Sequence, residues 1–243
     1  MSRSVKRIVL LMVTLSQLGL ASAQLFHLPG STQSSTVSSL ERNLIVNGDA
    51  ETSSGSIDGS VVAVSGWNVS GNFTVVKYGA VTSGGNLPSP TDPGPPNRGT
   101  NLFAGGPGPN NDSSHASQTI DITSDAALID TGRIYYVFTG YLGGWEAQGD
   151  KTKVTALFQD ANNVQLGAPA SIGPVSNIDR GNKTGLHLRH TIGALPVGAR
   201  KIIVQIETTR TDSNYNDGYA DNLSLMLTAV VSQVYLPLMI RNY

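Results

Sequence analysis

Two short acidic motifs stand at opposite ends of the chain, Asn47-Gly48-Asp49-Ala50-Glu51 and Asp217-Gly218-Tyr219-Ala220-Asp221-Asn222. Each adjoins a run with strand character, residues 44–46 for the first and 220–227 for the second. Calcium takes six to eight oxygen ligands from carboxylates, carbonyls and water. If the two terminal segments pair, Glu51 and Asp221 can share such an ion. The same residues equally fit two unrelated acids that cap turns at strand ends, because spacing along the chain says nothing of contact.

Two other stretches carry ligand-binding chemistry. One runs from Tyr141 through Trp145, Glu146 and Gln148 to Asp150, with glycines on either side of the indole. The other runs from Arg210 to Asp217 and holds Tyr215 among Asp, Asn and Ser. An aromatic face with polar groups around it suits a hydroxyl-rich ligand, provided all of them face one cleft. Tyr141, Trp145, Glu146, Gln148, Asp150, Tyr215 and Asp217 are therefore the candidate ligand contacts. The competing reading makes Trp145 a cover for a sheet edge and the Asn/Asp/Ser run a turn.

Catalytic signatures are missing. His27, His115, His187 and His190 form no His-Glu-x-x-His pattern, no Gly-x-Ser-x-Gly elbow occurs, and there is no cysteine. Glu146 with Asp150, or Asp212 with Asp217, offers paired carboxylates, but glycoside hydrolysis needs such a pair at a set separation. Solvated loop acids are the simpler account, so no catalytic residue is assigned and the protein is not expected to be an enzyme.

The elements that must position these groups are short strands. Apolar or alternating segments fall at 44–46, 61–69, 73–78, 101–104, 115–122, 134–142, 154–159, 187–192, 201–207 and 220–227. Val154, Ala156 and Phe158 alternate with Thr155, Leu157 and Gln159, the period-2 pattern of a half-buried strand. Trp67, inside a strand-like run, is expected in the core. Only 124–130 suggests a helical turn, capped by Ser124. Segments 81–99 and 105–114 are dense in Pro and Gly and are expected to be long surface loops. A charged fraction of 14% and 27 glycines also favour an all-β, loop-rich chain.

The N-terminus has the marks of a secretion signal. Arg3, Lys6 and Arg7 precede a short apolar stretch and the small-residue site Ala21-Ser22-Ala23. Cleavage there removes three basic residues, which leaves 13 basic against 17 acidic and a net charge of −4. That balance argues against nucleic acid, and no apolar run long enough to span a membrane remains. The expected layout is a signal peptide at 1–23, a Ser/Thr/Gln-rich leader at 24–42, one domain at 43–228 and an apolar tail at 229–243. With no cysteine, burial or a metal must replace the disulfides common in small exported domains.

Taken together, NLIVNGDAE, the SGWNV stretch and GYADNLSLML resemble the galactose-binding-like jelly-roll superfamily, which includes many bacterial carbohydrate-binding modules. The resemblance covers residues 43–228. It implies a single jelly-roll β-sandwich with long Pro/Gly-rich loops. It also implies a structural calcium (Ca2+) with Glu51 and Asp221 as side-chain ligands. Ala50 departs from the pattern, standing where an aromatic residue is usual. The implied role is an exported, non-catalytic binding module, secreted or at the cell surface, whose partner is an extracellular glycan or other surface polymer. A structural or adhesive surface protein assembled through its C-terminal tail is the alternative.

Overall fold

The computed structural model describes residues 40–229. The signal peptide, all of the leader before Leu40, and the tail beyond Ala229 lie outside the described residues. In chain order the strands are β1 (Asn68–Ser70), β2 (Thr74–Lys77), β3 (Val81–Thr82), β4 (Gly85–Asn86), β5 (Asn101–Pro107), β6 (Ser113–Asp121), β7 (Tyr135–Gly144), β8 (Lys151–Gln159), β9 (Ala170–Ile172), β10 (Gly185–Ala194), β11 (Lys201–Thr209) and β12 (Tyr215–Thr228).

Two five-stranded sheets make a jelly-roll sandwich, and every pairing within them is antiparallel. The first has the order β1-β6-β11-β8-β9 and the second β10-β7-β12-β5-β2. In β8, Val154, Ala156 and Phe158 point inward while Lys151 and Lys153 face solvent. In β11, Ile202, Val204 and Ile206 do the same. They meet Phe73, Val75, Phe103, Phe138 and Leu225 from the second sheet in one core. Trp67 joins it as expected, with its ring edge-on to Phe103 at 5.7 Å and its indole N–H donating to the Asn47 carbonyl at 3.3 Å. Each such side chain, once buried, contributes about 1.5–3 kcal/mol.

The second sheet is covered on both faces. Its outer face carries a further apolar cluster of Val76, Tyr78, Leu87, Leu102, Leu186 and Tyr219. Hence neighbouring residues of one strand serve two cores, as with Tyr219 and Ala220 or Leu102 and Phe103. Residues 78–99 form the cover. Arg98 stitches this segment together by donating to the carbonyls of Ser89, Asp92 and Pro95. The Leu186 amide donates to the Pro93 carbonyl at 2.8 Å and ties the segment to β10. The Pro-rich stretch is thus a built layer, and it contains a hairpin, β3–β4, that sequence reading assigned to loop.

Several expected elements need correction. Residues 44–46 are not a strand. Asn47 (φ 50°) and Ala50 (φ 61°) adopt left-handed conformations, so LIVNGDAE coils through turns. It still lies along the last strand, with Leu44 N–H on the Leu225 carbonyl and Leu223 N–H on the Gly48 carbonyl, both at 2.8 Å. Within 61–69 only the end is strand; side-chain bonds, such as Thr74 Oγ1 accepting from the Val62 amide, hold the rest. Of 105–114, both ends belong to β5 and β6, because Asn111 Nδ2 satisfies the carbonyls of Gly105 and Gly106 that the ladder leaves free. The helical turn forms over Ala126–Ile129 without a Ser124 cap; instead Asp121 accepts from the Thr123 amide at 2.8 Å. Strand β9 went unnoticed in the sequence. Among the described residues, no helix is long and apolar enough to cross a membrane.

Candidate functional site

Where the outer apolar layer ends, its rim becomes a groove of about 560 Å3. Four stretches of chain form its walls: Asp58-Gly59-Ser60, the β3–β4 hairpin with Leu87, the loop bearing Trp145 and Gln148, and the loop over residues 213–217. Tyr215 bridges two walls by donating its hydroxyl to the Gly59 carbonyl at 3.1 Å. Glycine is required at that contact. Gly59 has φ 81°, and a Cβ there would stand 2.6 Å from Thr82 Cγ2 and 3.1 Å from the Tyr215 ring. Trp145 is half-buried and packs against the outer cluster, as does Tyr215.

Of the seven residues singled out as ligand contacts, Trp145, Gln148, Tyr215 and Asp217 line this groove. Tyr141, Glu146 and Asp150 are not among its lining residues. Tyr141 packs into the outer cluster. Glu146 is exposed at a turn with φ 34°, and its backbone carbonyl accepts from Arg180. Asp150 is fully buried and turned inward. Its Oδ1 accepts from the amides of Thr211 and Asp212 and from the Thr211 hydroxyl, and its Oδ2 from the Asp217 amide at 2.8 Å. This one carboxylate therefore sets the loop that carries Tyr215 and Asp217. Sequence reading overlooked Asp58 and the hairpin wall. Ser56-Ile57-Asp58-Gly59-Ser60 announces a turn, and nothing in it indicates what the turn will face.

The two lining carboxylates are tuned apart. Hydrogen bonds from Ser60, then Ser56, pull exposed Asp58 down to about 2. Asp217 is only 6% exposed. Burial pushes it up to about 7, with neighbouring Asp150 adding to the rise and the Tyr219 hydroxyl and Arg180 opposing it. Tyr219 donates to Asp217 Oδ1, and among the described residues no hydrogen bond reaches Oδ2. Gln148 Oε1 is likewise buried without a partner. At the groove, Asp217 therefore keeps one carboxyl oxygen free of protein donors, an acceptor that a ligand can use.

A second cluster of acids lies where the N-terminal segment meets β12. Asp221 is fully buried. It accepts from the Tyr78 hydroxyl and the Asn222 amide, both at 2.6 Å, where a register shift interrupts β12 beside β7. Burial raises its carboxyl to about 8, and the charges of Glu51 and Asp49 add to the rise. Glu51 accepts from the Thr100 and Asn101 amides at 2.8 and 2.7 Å and from the Thr100 hydroxyl. Gly99 (φ 66°) makes room, since a Cβ there would stand 2.5 Å from that carboxyl. These donors are all oxygens, the type a hard cation takes. Among the described residues, however, no three acidic or histidine side chains converge as metal ligands, so carbonyls and water would have to complete a shell.

A further concavity of about 530 Å3 lies on the solvent face of the first sheet, between Asn68, His115, Ser117, Thr155, Gln205 and Glu207. No Phe, Tyr or Trp ring lines it.

No protein-family model and no curated protein match this chain. Solved structures do. The enzymatically active domain of bacteriophage CBA120 tailspike protein 4 matches at 14% identity and TM-score 0.49, over 76% of this chain and 21% of that one. The matched part spans about a fifth of that solved chain. A family 16 carbohydrate-binding module matches at 18% identity and TM-score 0.44, over 76% of this chain and 99% of that one. TmCBM61, solved with β-1,4-galactotriose, matches at 16% identity and TM-score 0.41, over 76% and 98%.

Proposed function

We propose that this protein is an exported, non-catalytic carbohydrate-binding module that captures an extracellular glycan in the groove between the β3–β4 hairpin and the loops bearing Trp145 and Tyr215. The observation that carries this reading is the convergence of two rings, from loops distant in sequence, on Asp217, whose Oδ2 has no donor among the described residues. Rings contact the C–H faces of a sugar, and hydroxyls donate to the waiting acceptors. A glycan array with the full chain tests the reading, followed by titration calorimetry on the best ligand. Trp145→Ala should weaken binding at least about tenfold, the scale of losing a buried aromatic contact, while the protein stays folded at the assay temperature. Failure to bind any glycan would end the proposal, and full binding by the variant would move the site elsewhere.

The same reading includes a structural calcium at Asp221 and Glu51. An ion there would offset the charge that burial makes costly at Asp221. It would also join the N-terminal segment and residues 99–101 to the last strand. Its contribution is to stability and not to chemistry.

A further inference from the structure

The groove's lining is one-sided in charge. It includes Asp58 and Asp217 but no lysine, arginine or histidine. The nearest cations are committed elsewhere. Arg180, fully buried, gives its guanidinium to the carbonyls of Glu146, Gln148 and Lys183. Arg210 pairs with Asp112 and donates to the carbonyls of Pro109 and Ser213. Behind the floor, Asp150 and Asp217 together face the single charge of Arg180.

Asp217 supplies an independent pointer to a ligand, being more than nine-tenths buried with one oxygen unpartnered at the groove. A neutral hydroxyl would satisfy that oxygen but do nothing for the charge the carboxyl carries when it ionises. An ammonium group would satisfy the oxygen and balance the charge. Trp145 and Tyr215 add ring faces that attract cations. Carboxylates beside aromatic rings, with no competing base, form the chemical setting for a cation. The same setting repels uronates and sulfated sugars.

We infer that this groove selects cationic amino sugars, with the ammonium held by Asp217 and Asp58 and the sugar ring laid on Trp145 or Tyr215. The inference rests on the carbohydrate-binding reading above and names the substrate class of that same groove. Asp58, which its serine partners keep ionised, supplies the fixed charge. Asp217, about half ionised near neutral pH in the free protein, supplies a second carboxylate that a bound ammonium would draw into its charged form.

The test is calorimetry of the full chain, at neutral pH and low salt, against three oligomers of equal length: β-1,4-glucosamine, its fully N-acetylated form, and a galacturonate. The glucosamine oligomer should bind about tenfold tighter than the N-acetylated one, the uronate should not bind, and added salt should shrink the preference. Asp58→Asn with Asp217→Asn should abolish the preference while leaving the melting temperature no lower. Trp145→Ala should weaken both sugars alike. If the N-acetylated or acidic oligomer binds as tightly as the amine, or if the preference survives in the double variant, the inference is overturned and the glycan reading stands. If no sugar of any class binds, both fall.

Discussion

Asp217→Asn should stabilise the free protein, and increasingly so as pH rises. In the unfolded chain this carboxyl titrates near 3.8, and in the folded protein near 7. Between those values the native state holds a proton that the unfolded state has released, so stability falls as pH rises. The penalty is absent below about pH 4 and complete above about pH 7. A shift of about 3 units at ~1.4 kcal/mol each gives about 4 kcal/mol at most. Asparagine keeps an oxygen to accept from Tyr219 and carries no charge, so the variant should lack that fall. The assay is urea denaturation of both proteins in steps from pH 4 to pH 9, reading the difference between them. Other groups, Asp221 among them, titrate in both proteins and cancel in that difference. Wild type and variant should agree near pH 4, and the variant should lead by several kcal/mol at pH 8. Parallel profiles across the whole range would refute the assignment of a burial-driven shift to Asp217.

Tyr219→Phe removes the hydroxyl that opposes this shift, so Asp217 should titrate still higher; the carboxyl carbon chemical shift against pH would show it. Asp150→Ala strips the acceptor from three backbone amides and one hydroxyl, and should cost about 3 kcal/mol in denaturant unfolding. It should also weaken groove binding, because the loop bearing Tyr215 loses its anchor. A chelator should lower the melting temperature of the wild type and leave Asp221→Ala unchanged. Calcium at about a hundredfold above its Kd would add ~2.7 kcal/mol, and a wild-type melt indifferent to chelator would dismiss the ion.

Much of the scaffold was legible in the sequence because strand burial has a period of two. Alternation in β8 identified the inward residues directly, and Trp67 fell in the core as its strand-like context suggested. The places of both aromatic-bearing loops were legible too, since Gly, Asp, Asn and Ser mark turns by local chemistry. The direction of each side chain was not. Asp150 looked like a ligand contact and instead faces inward, because the amides of 211, 212 and 217 needed an acceptor. Asp58 was invisible because its neighbour Gly59 meets Tyr215 only across the fold, which puts Asp58 at the groove. Residues 44–51 misled because an apolar run beside Asn-Gly looks like a strand end, whereas left-handed Asn47 and Ala50 coil it into turns.

Local chemistry in the chain decided class and composition: which stretches lie half-buried in sheets, where Pro and Gly exclude ladders, and which loops carry rings with acceptors. Only the folded structure decided partnership. It brought Asp221 under the charges of Glu51 and Asp49, turned Asp150 away from the groove, and set Asp58, Trp145, Tyr215 and Asp217 around one opening. The reason is physical. Burial preference and turn propensity act within a few residues and leave their mark in the sequence, whereas desolvation, charge coupling and shared cavities depend on distances that the chain acquires only when its two sheets close.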